Sequence, residues 1–309
     1  MRFNRLDLNL LVALDILMTE RSITRAANRL NLSQSATSGV LARLREYFED
    51  ELLVQVGRSM VLTPLAERLV NPVRDVLLQI QATVEIRAAF DPATSMRHFR
   101  IISSDYPSAV LLADVGRRLH ITAPGVTMEI IAPHDGFIDQ IDRGEVDLLI
   151  MPEKYLSTQH PSQTLFEDNY SCVVWSSNTV VGDTLTLEQF KSLGHVSTLF
   201  GVQRQAPSFE QWFMQNSGIA RRIEATTNTF SAMPQFVIGT NRIATMHTRL
   251  ATLSAHYYPL RLLKTPIEMP NVVESMQWHK IFDKDPAHAW FRSFVSEVAA
   301  TGMLHFEGY

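Results

Sequence analysis

Apolar residues recur at helical spacing along the first fifty positions, separated by short polar breaks. Leu6, Leu10, Leu11, Leu14 and Leu17 share one helical face, and Ile23, Ala26, Ala27 and Leu30 repeat the i, i+3, i+4, i+7 pattern. Ser22 stands where a cap for the second helix is needed. Asn31-Leu32 makes a tight turn, and Ser33 caps a third helix running to about Phe48. Two helices joined by so short a turn predict a helix-turn-helix. From Leu52 to Leu62 the pattern becomes two short strands around Gly57-Arg58-Ser59, a β-hairpin wing with an arginine at its tip.

Thr63-Pro64 opens a long helix, predicted to reach about Phe90. Ala66, Leu69, Val73, Val76 and Ile80 form a 3-4-3-4 seam, and Val70, Leu77 and Val84 follow a seven-residue step. Such a seam calls for a partner helix or for the core of its own domain. Pro72 predicts a bend, or a helix that begins only after it. Asp91-Pro92-Ala93-Thr94-Ser95 reads as a hinge. Beyond it strands and helices alternate: strand Phe99–Ser104, helix Ser108–His120, strand Val126–Ile131, helix Phe137–Arg143 and strand Val146–Met151. The alternation resumes at Ser171–Trp175 and continues to a last helix over 286–300. This order predicts a parallel sheet covered by helices. The fold class is therefore α/β with an all-α winged helix-turn-helix at the N-terminus.

Composition refines the picture mainly at the head. The 309 residues fit about two domains. With 46% hydrophobic and 19% charged residues the chain can fill a core, which excludes bulk disorder. No apolar run nears the ~18 residues that span a bilayer, so no membrane partner is expected. Asp7, Asn9, Asp15 and Glu20 interrupt what superficially resembles a signal peptide, and a cytoplasmic location is expected. A single cysteine, Cys172, excludes a disulfide framework within the chain and any multi-cysteine zinc site. The net charge of −4 hides an asymmetry: residues 1–45 hold seven arginines against Asp7, Asp15 and Glu20, and the rest of the chain is acidic. A basic head on an acidic body points to a polyanion at the head. The first lysine is Lys154, so every cation of the head is an arginine, whose planar fork suits phosphate and guanine.

On the third helix, a count at about 100° per residue puts Ala36, Val40, Leu44, Tyr47 and Phe48 on one side and Gln34, Ser38 and Arg45 opposite, with Ser35 and Thr37 flanking. A recognition helix carries short hydroxyl and amide groups where it enters the major groove. The candidate DNA-contacting residues are Ser22, Thr24, Arg25, Ser33, Gln34, Ser35, Thr37, Ser38, Arg43, Arg45 and Arg58. Small polar residues are also common at helix starts, and Arg58 has the alternative of an exposed turn residue. No G-x-S-x-G elbow, P-loop, H-E-x-x-H or G-x-G-x-x-G occurs, and the ten histidines lack metal spacing. No enzyme, cofactor or metal is expected. The alternative function is a solute-binding protein for a small organic anion.

The head, and within it the run from Ala26 to Ser38 (AANRLNLSQSATS), resembles the LysR-type transcriptional regulators. MRF at the start, FDP at 90–92, GEVDLLIMPE at 144–153 and HP at 160–161 resemble the nodulation-regulator branch, which is close to the salicylate-responsive regulators of aromatic catabolism. The resemblance implies a winged helix-turn-helix (1–62), a dimerising linker helix (63–90), a hinge (91–95) and an effector-binding domain (96–309) like the periplasmic binding proteins. Half I of that domain is placed at 96–167 plus 269–309, and half II at 168–268. It further implies an activator that meets double-stranded promoter DNA, RNA polymerase, its own copies as a dimer or tetramer, and a small aromatic inducer.

Ligands of α/β sheets bind beyond the C-terminal ends of strands. Those ends offer Ser103, Ser104, Asp105, Tyr106, His195, Phe200, Phe230, His247 and Arg249 as effector-contacting candidates. The resemblance assigns an effector hydroxyl to Ser104 and a carboxylate-binding role to Arg249. Each has a structural alternative: the serines as caps, His195 as a core histidine, Arg249 in a surface ion pair. His247 stands where salicylate-responsive relatives carry proline.

Overall fold

Each helix of the head begins at a side chain that accepts a hydrogen bond from the helix's own first turn. The computed structural model describes residues 7–57, 59–84, 90–134, 136–200 and 206–301, in two units, 1–87 and 88–309. Asp7 caps α1 (Leu8–Glu20), Ser22 caps α2 (Ile23–Leu30) and Ser33 caps α3 (Gln34–Phe48). Asn31 ends α2 in the left-handed region at φ 53°, a conformation its short amide side chain tolerates, and Leu32 N–H bonds back to the Ala27 carbonyl at 3.0 Å. That closure leaves only three residues between α2 and α3.

The wing follows as β1 (Leu53–Val56) paired antiparallel with β2 (Ser59–Leu62). Asp50 ties its base. One carboxylate oxygen accepts from Leu52 N–H at 2.7 Å and from the Thr63 hydroxyl at 2.6 Å. These bonds hold its pKa below the usual carboxylate range, the Thr63 hydroxyl foremost. Arg58 lies outside the described residues. Leu10, Leu14, Leu17, Ala26, Leu41, Leu44, Leu52 and Leu53 meet in one core, joined by Ala66 and Val73 of α4 (Pro64–Val84).

Three expectations for the head change. In α3 Thr37, not Ala36, is buried, because the Thr37 hydroxyl donates to the Ser33 carbonyl at 3.1 Å and its methyl can then face the core. Thr37 is therefore removed from the DNA-facing set. α4 starts at Pro64 and runs through Pro72, so the alternative of a start beyond Pro72 is excluded. The α4 seam is also divided. Ala66, Leu69, Val70, Val73 and Leu77 pack on the head's own core, while Val76 is 42% exposed. Residues 85–89 lie outside the described residues.

The second unit contains two mixed sheets. The first orders its strands β4 (Thr127–Ile131), β3 (His98–Ser103), β5 (Leu148–Pro152), β13 (Val272–Gln277), β6 (Ser162–Asp168). The second runs β10 (Arg222–Thr227), β8 (Gly194–Phe200), β11 (Ile243–His247), β7 (Tyr170–Trp175), β12 (Leu260–Lys264), with β9 (Ala206–Pro207) beside β8. The chain passes from the first sheet to the second between Asp168 and Tyr170, and returns between Lys264 and Val272. A strand entering from the other half runs against its neighbours, so β13 is antiparallel to β5 and β6, and β7 to β11 and β12. The parallel sheet predicted from alternation is found at β4, β3 and β5 and at β10, β8 and β11, and is corrected by the antiparallel strands β13, β6, β7 and β12. Strand β6 has no counterpart in the sequence reading: only Phe166 and Asp168 of it are buried, so its hydrophobic signal is too thin.

The helices of this unit are α5 (Asp105–Pro107), continued by a π-turn over Ser108–Leu112 into α6 (Ala113–Thr122), then α7 (Phe137–Asp142), α8 (Leu187–Ser192), α9 (Phe209–Asn216), α10 (Met233–Val237), α11 (Thr248–Tyr257) and α12 (Pro286–Thr301). Glu210 of α9 is buried and held through both oxygens by Arg221, one bond being 2.9 Å. Burial pushes its carboxyl upward and Arg221 opposes that. Removing one partner leaves an unpaired buried charge. Arg221→Met is expected to cost about 3–5 kcal/mol in urea denaturation, and adding Glu210→Leu should recover most of it. A single variant as stable as the native chain would refute this account of the pair.

Candidate functional site

Two sites come from this fold, one on α3 and one between the two sheets. Gln34, Ser35, Ser38, Gly39, Ala42 and Arg43 are exposed along α3. A Cβ added at Gly39 would meet nothing within 4 Å, so the stripe is small-surfaced and open. Ser38 donates to the Gln34 carbonyl at 2.9 Å, and the Ser33 and Ser35 hydroxyls lie 3.0 Å apart. Ser22 and Ser33 each use their oxygen as a cap acceptor. Thr24 is exposed on α2, and Arg25 is exposed with its guanidinium 3.2 Å from Glu20. Arg45 departs from the expected set. It donates to the Glu51 carbonyl at 2.8 Å and the Leu53 carbonyl at 2.7 Å, with the Glu51 carboxylate at 3.0 Å. It clamps the base of the wing instead of projecting with Gln34 and Ser38.

Between the two sheets lies a cavity of about 510 Å³. The first half contributes Ser104 and Tyr106 after β3, His134 and Phe137 after β4, Lys154 and Tyr155 after β5, and Glu274 from β13. The second contributes Phe200 at the end of β8, Phe209 and Trp212 of α9, Phe230, and His247 at the end of β11. Tyr106 stacks on His247 with centroids 3.8 Å apart, and Phe230 meets the same imidazole edge-on at 4.8 Å. Lys154 places its ammonium 4.0 Å from the ring centres of both Phe209 and Trp212 and 4.6 Å from Tyr155. Burial lowers its pKa.

The predicted effector residues divide. Ser104, Tyr106, Phe200, Phe230 and His247 line the cavity; Ser103, Asp105, His195 and Arg249 do not. Ser103 is buried and donates to the Ser104 carbonyl at 3.2 Å. Asp105 accepts from Phe230 N–H at 3.1 Å and from Ser231 N–H and hydroxyl at 2.7 Å each, latching one half to the other. His195 stands at the start of β8, away from its C-terminal end, and bonds the Phe190 carbonyl at 2.5 Å. Burial lowers its pKa to about 4, so it is a neutral core histidine. Arg249 lays its guanidinium over Phe166 at 4.5 Å and reaches the Glu167 carbonyl at 3.4 Å, outside the cavity. The carboxylate-binding role is not supported at that position. Lys154, Glu274, Phe209 and Trp212 were missed. Lys154 follows β5, so the strand-end rule applied to Met151–Tyr155 would have found it.

Residues 8–67 match the bacterial regulatory helix-turn-helix protein, lysR family, and residues 93–300 match the LysR substrate binding domain. Nodulation protein D of Bradyrhizobium sp. (strain ANU 289) is 44% identical over 300 residues, covering 97% of this chain and 88% of the relative. Nodulation protein D 1 of Rhizobium tropici is 44% identical over 300 residues, covering 97% of both. The crystal structure of a probable transcriptional regulator from Pseudomonas aeruginosa superposes at TM-score 0.62 with 26% identity, covering 94% of this chain and 97% of that one. The chain belongs to the LysR family.

It is a LysR-type DNA-binding transcriptional regulator, not an enzyme. Its periplasmic-binding-protein-like domain holds the whole cavity, since every lining residue falls within 93–300. Among the described residues no helix is long and apolar enough to cross a membrane. In this LysR regulator the least expected wall residue is Glu274, 1% exposed. Burial, with Asp168 nearby, raises its pKa from 4.5 to about 8. The unfolded chain loses that proton near 4.5, so between 4.5 and 8 the fold holds one proton more than the unfolded state. The residue's contribution to stability therefore falls as pH rises through that window. The advantage of Glu274→Gln over the native chain is expected to grow from pH 5 to pH 8.5 by up to about 4 kcal/mol. Denaturation midpoints at the two pH values measure it, and a gap that is constant or shrinking contradicts the buried, protonated carboxyl.

Proposed function

We propose that this LysR regulator is a cytoplasmic transcriptional activator whose inducer, a small phenolic, flavonoid or aromatic-acid molecule, occupies the cavity between the two α/β halves. The cavity itself carries the reading. Its walls are largely aromatic, with a few polar groups and a lysine at the rim, which suits a flat, weakly acidic ring. The names of its relatives, Nodulation protein D, agree with a regulator of this branch. The helix-turn-helix head counts against the solute-binding alternative. Trp212→Ala and Phe230→Ala are expected to lower the inducer response of a promoter fusion at least about tenfold while operator affinity stays within about twofold. An unchanged dose-response in both variants would remove the cavity from the mechanism.

In this proposal α3 enters the major groove of the operator. Gln34, Ser35 and Ser38 face the bases, Arg43 faces phosphate, and the wing carrying Arg58 lies along the backbone. Paired heads come from assembly through residues 63–90, where Val76 offers exposed apolar surface, and two dimers form a homotetramer that contacts RNA polymerase. Gln34→Ala should cost about 1–3 kcal/mol on the operator and little on random duplex. Arg43→Ala should weaken both alike and flatten the salt dependence by about one unit of slope. Fluorescence anisotropy across a salt series separates the two roles, and equal losses on both duplexes for Gln34→Ala would overturn its assignment to bases.

A further inference from the structure

Glu274 sits mid-strand in β13, paired with Pro152 of β5 on one side and Phe166 of β6 on the other, beside an irregularity in the β6 register. Its side chain forms part of the cavity wall. Among the described residues its carboxyl has no hydrogen-bond partner, and Oε2 is fully shielded from solvent. It is not alone. His247 Nδ1, in the same wall, and the Tyr170 hydroxyl are also buried without partners, and their rings are 4.9 Å apart. Buried polar atoms are nearly always bonded, so unpartnered ones on two residues that line the same cavity, Glu274 and His247, mark where a ligand's polar group belongs. The donors nearby have gone to another carboxyl: Asp168 takes Tyr106 hydroxyl at 2.6 Å, Asn169 N–H at 2.8 Å and Arg249 N–H at 3.1 Å.

We infer that Glu274 is the specificity-determining group of this cavity, a buried, unpartnered carboxyl that exchanges hydrogen bonds with a ligand hydroxyl and turns away a ligand carboxylate. The inference rests on the reading of the cavity as the inducer site. A protonated carboxyl offers one donor and one acceptor, the complement of a phenol O–H. The neutral His247 imidazole adds a second acceptor or donor at Nδ1, according to its tautomer. A ligand carboxylate at the same place would lie against Asp168 and Glu274, and among the described residues the lining contributes one cation, Lys154. The cavity's lysine is held at the rim among Tyr155, Phe209 and Trp212. The inducer class is thereby narrowed from aromatic acids and phenols to hydroxylated aromatics that enter with an uncharged hydroxyl foremost.

Titration calorimetry of the full chain with 4-hydroxybiphenyl, biphenyl-4-carboxylate and plain biphenyl at pH 7 tests this. Native protein should bind the phenol at least about tenfold more tightly than the carboxylate, as expected when a charge is buried without a partner. Glu274→Gln, whose amide also donates and accepts, should keep the phenol within about threefold. Glu274→Leu should lose about tenfold for the phenol and nothing for biphenyl. Native protein that prefers the carboxylate, or a leucine variant with an unchanged phenol-to-biphenyl ratio, overturns the assignment while leaving the aromatic site standing. Failure of all three biphenyls to bind the native protein overturns the aromatic site and the assignment together. The native phenol-to-carboxylate ratio needs no variant, so the test holds even if the leucine chain does not fold.

Discussion

The effector domain depends on how its chain crosses twice between two sheets without leaving polar groups stranded. The first crossing is at Asp168, 8% exposed, whose carboxylate gathers the Tyr106 hydroxyl from one half and the Arg249 and Asn169 amides from the other. Asp105 repeats the device, holding the Phe230 and Ser231 amides from across the cleft. Two carboxylates thus fasten both halves, and Tyr106, His247 and Phe230, whose rings are in contact, form part of the adjoining cavity wall. The cavity is a consequence of the crossing.

The second crossing delivers Glu274 beside Asp168, and two carboxyls so placed do not ionise alike. Hydrogen-bond donors collect on Asp168, and none among the described residues reaches Glu274. Burial raises both carboxyls, but the bonds from Tyr106, Arg249 and Asn169 oppose the shift at Asp168 and nothing opposes it at Glu274, so the cavity wall receives the partner that holds its proton more readily. His247 follows the same logic: burial without a charged neighbour lowers its pKa to about 3, so it too is neutral. Among the described lining residues Glu274 and His247 are thus polar but uncharged, while the formal positive charge belongs to the exposed Lys154.

Much of the head was legible because caps are local. Ser22 and Ser33 accept from amides, and Asn31 donates to carbonyls, within a few residues, so the two-helix turn follows from spacing alone. What failed were positions decided by partners distant in sequence or by one hydrogen bond. Periodicity cannot choose between Ala36 and Thr37 for the core until the Thr37 hydroxyl is known to bond the Ser33 carbonyl. Arg45 reads as a DNA-facing cation until Glu51 and Leu53 turn back beneath it. In the effector domain the strand-end rule found Tyr106, Phe200, Phe230 and His247, but His195 begins its strand and Arg249 lies along β6, a strand too polar to be seen in the sequence.

A ligand in this cavity can shift the two halves only through a difference in affinity between arrangements. The contacts that would report that difference straddle the cleft. Lys154 belongs to the β5 side, and the Phe209 and Trp212 faces that hold it belong to α9 on the other. A ring inserted there competes for the same aromatic faces, and a ligand oxygen competes for the same ammonium. Cation–π contacts of this kind are worth about 0.5–2 kcal/mol, the scale of typical allosteric coupling, about 1–3 kcal/mol. The Asp105 and Asp168 bonds are too many to be exchanged together at that cost. The crossing therefore acts as the fixed pivot, and the lysine among its aromatic faces is the part of the cleft that an inducer can re-set.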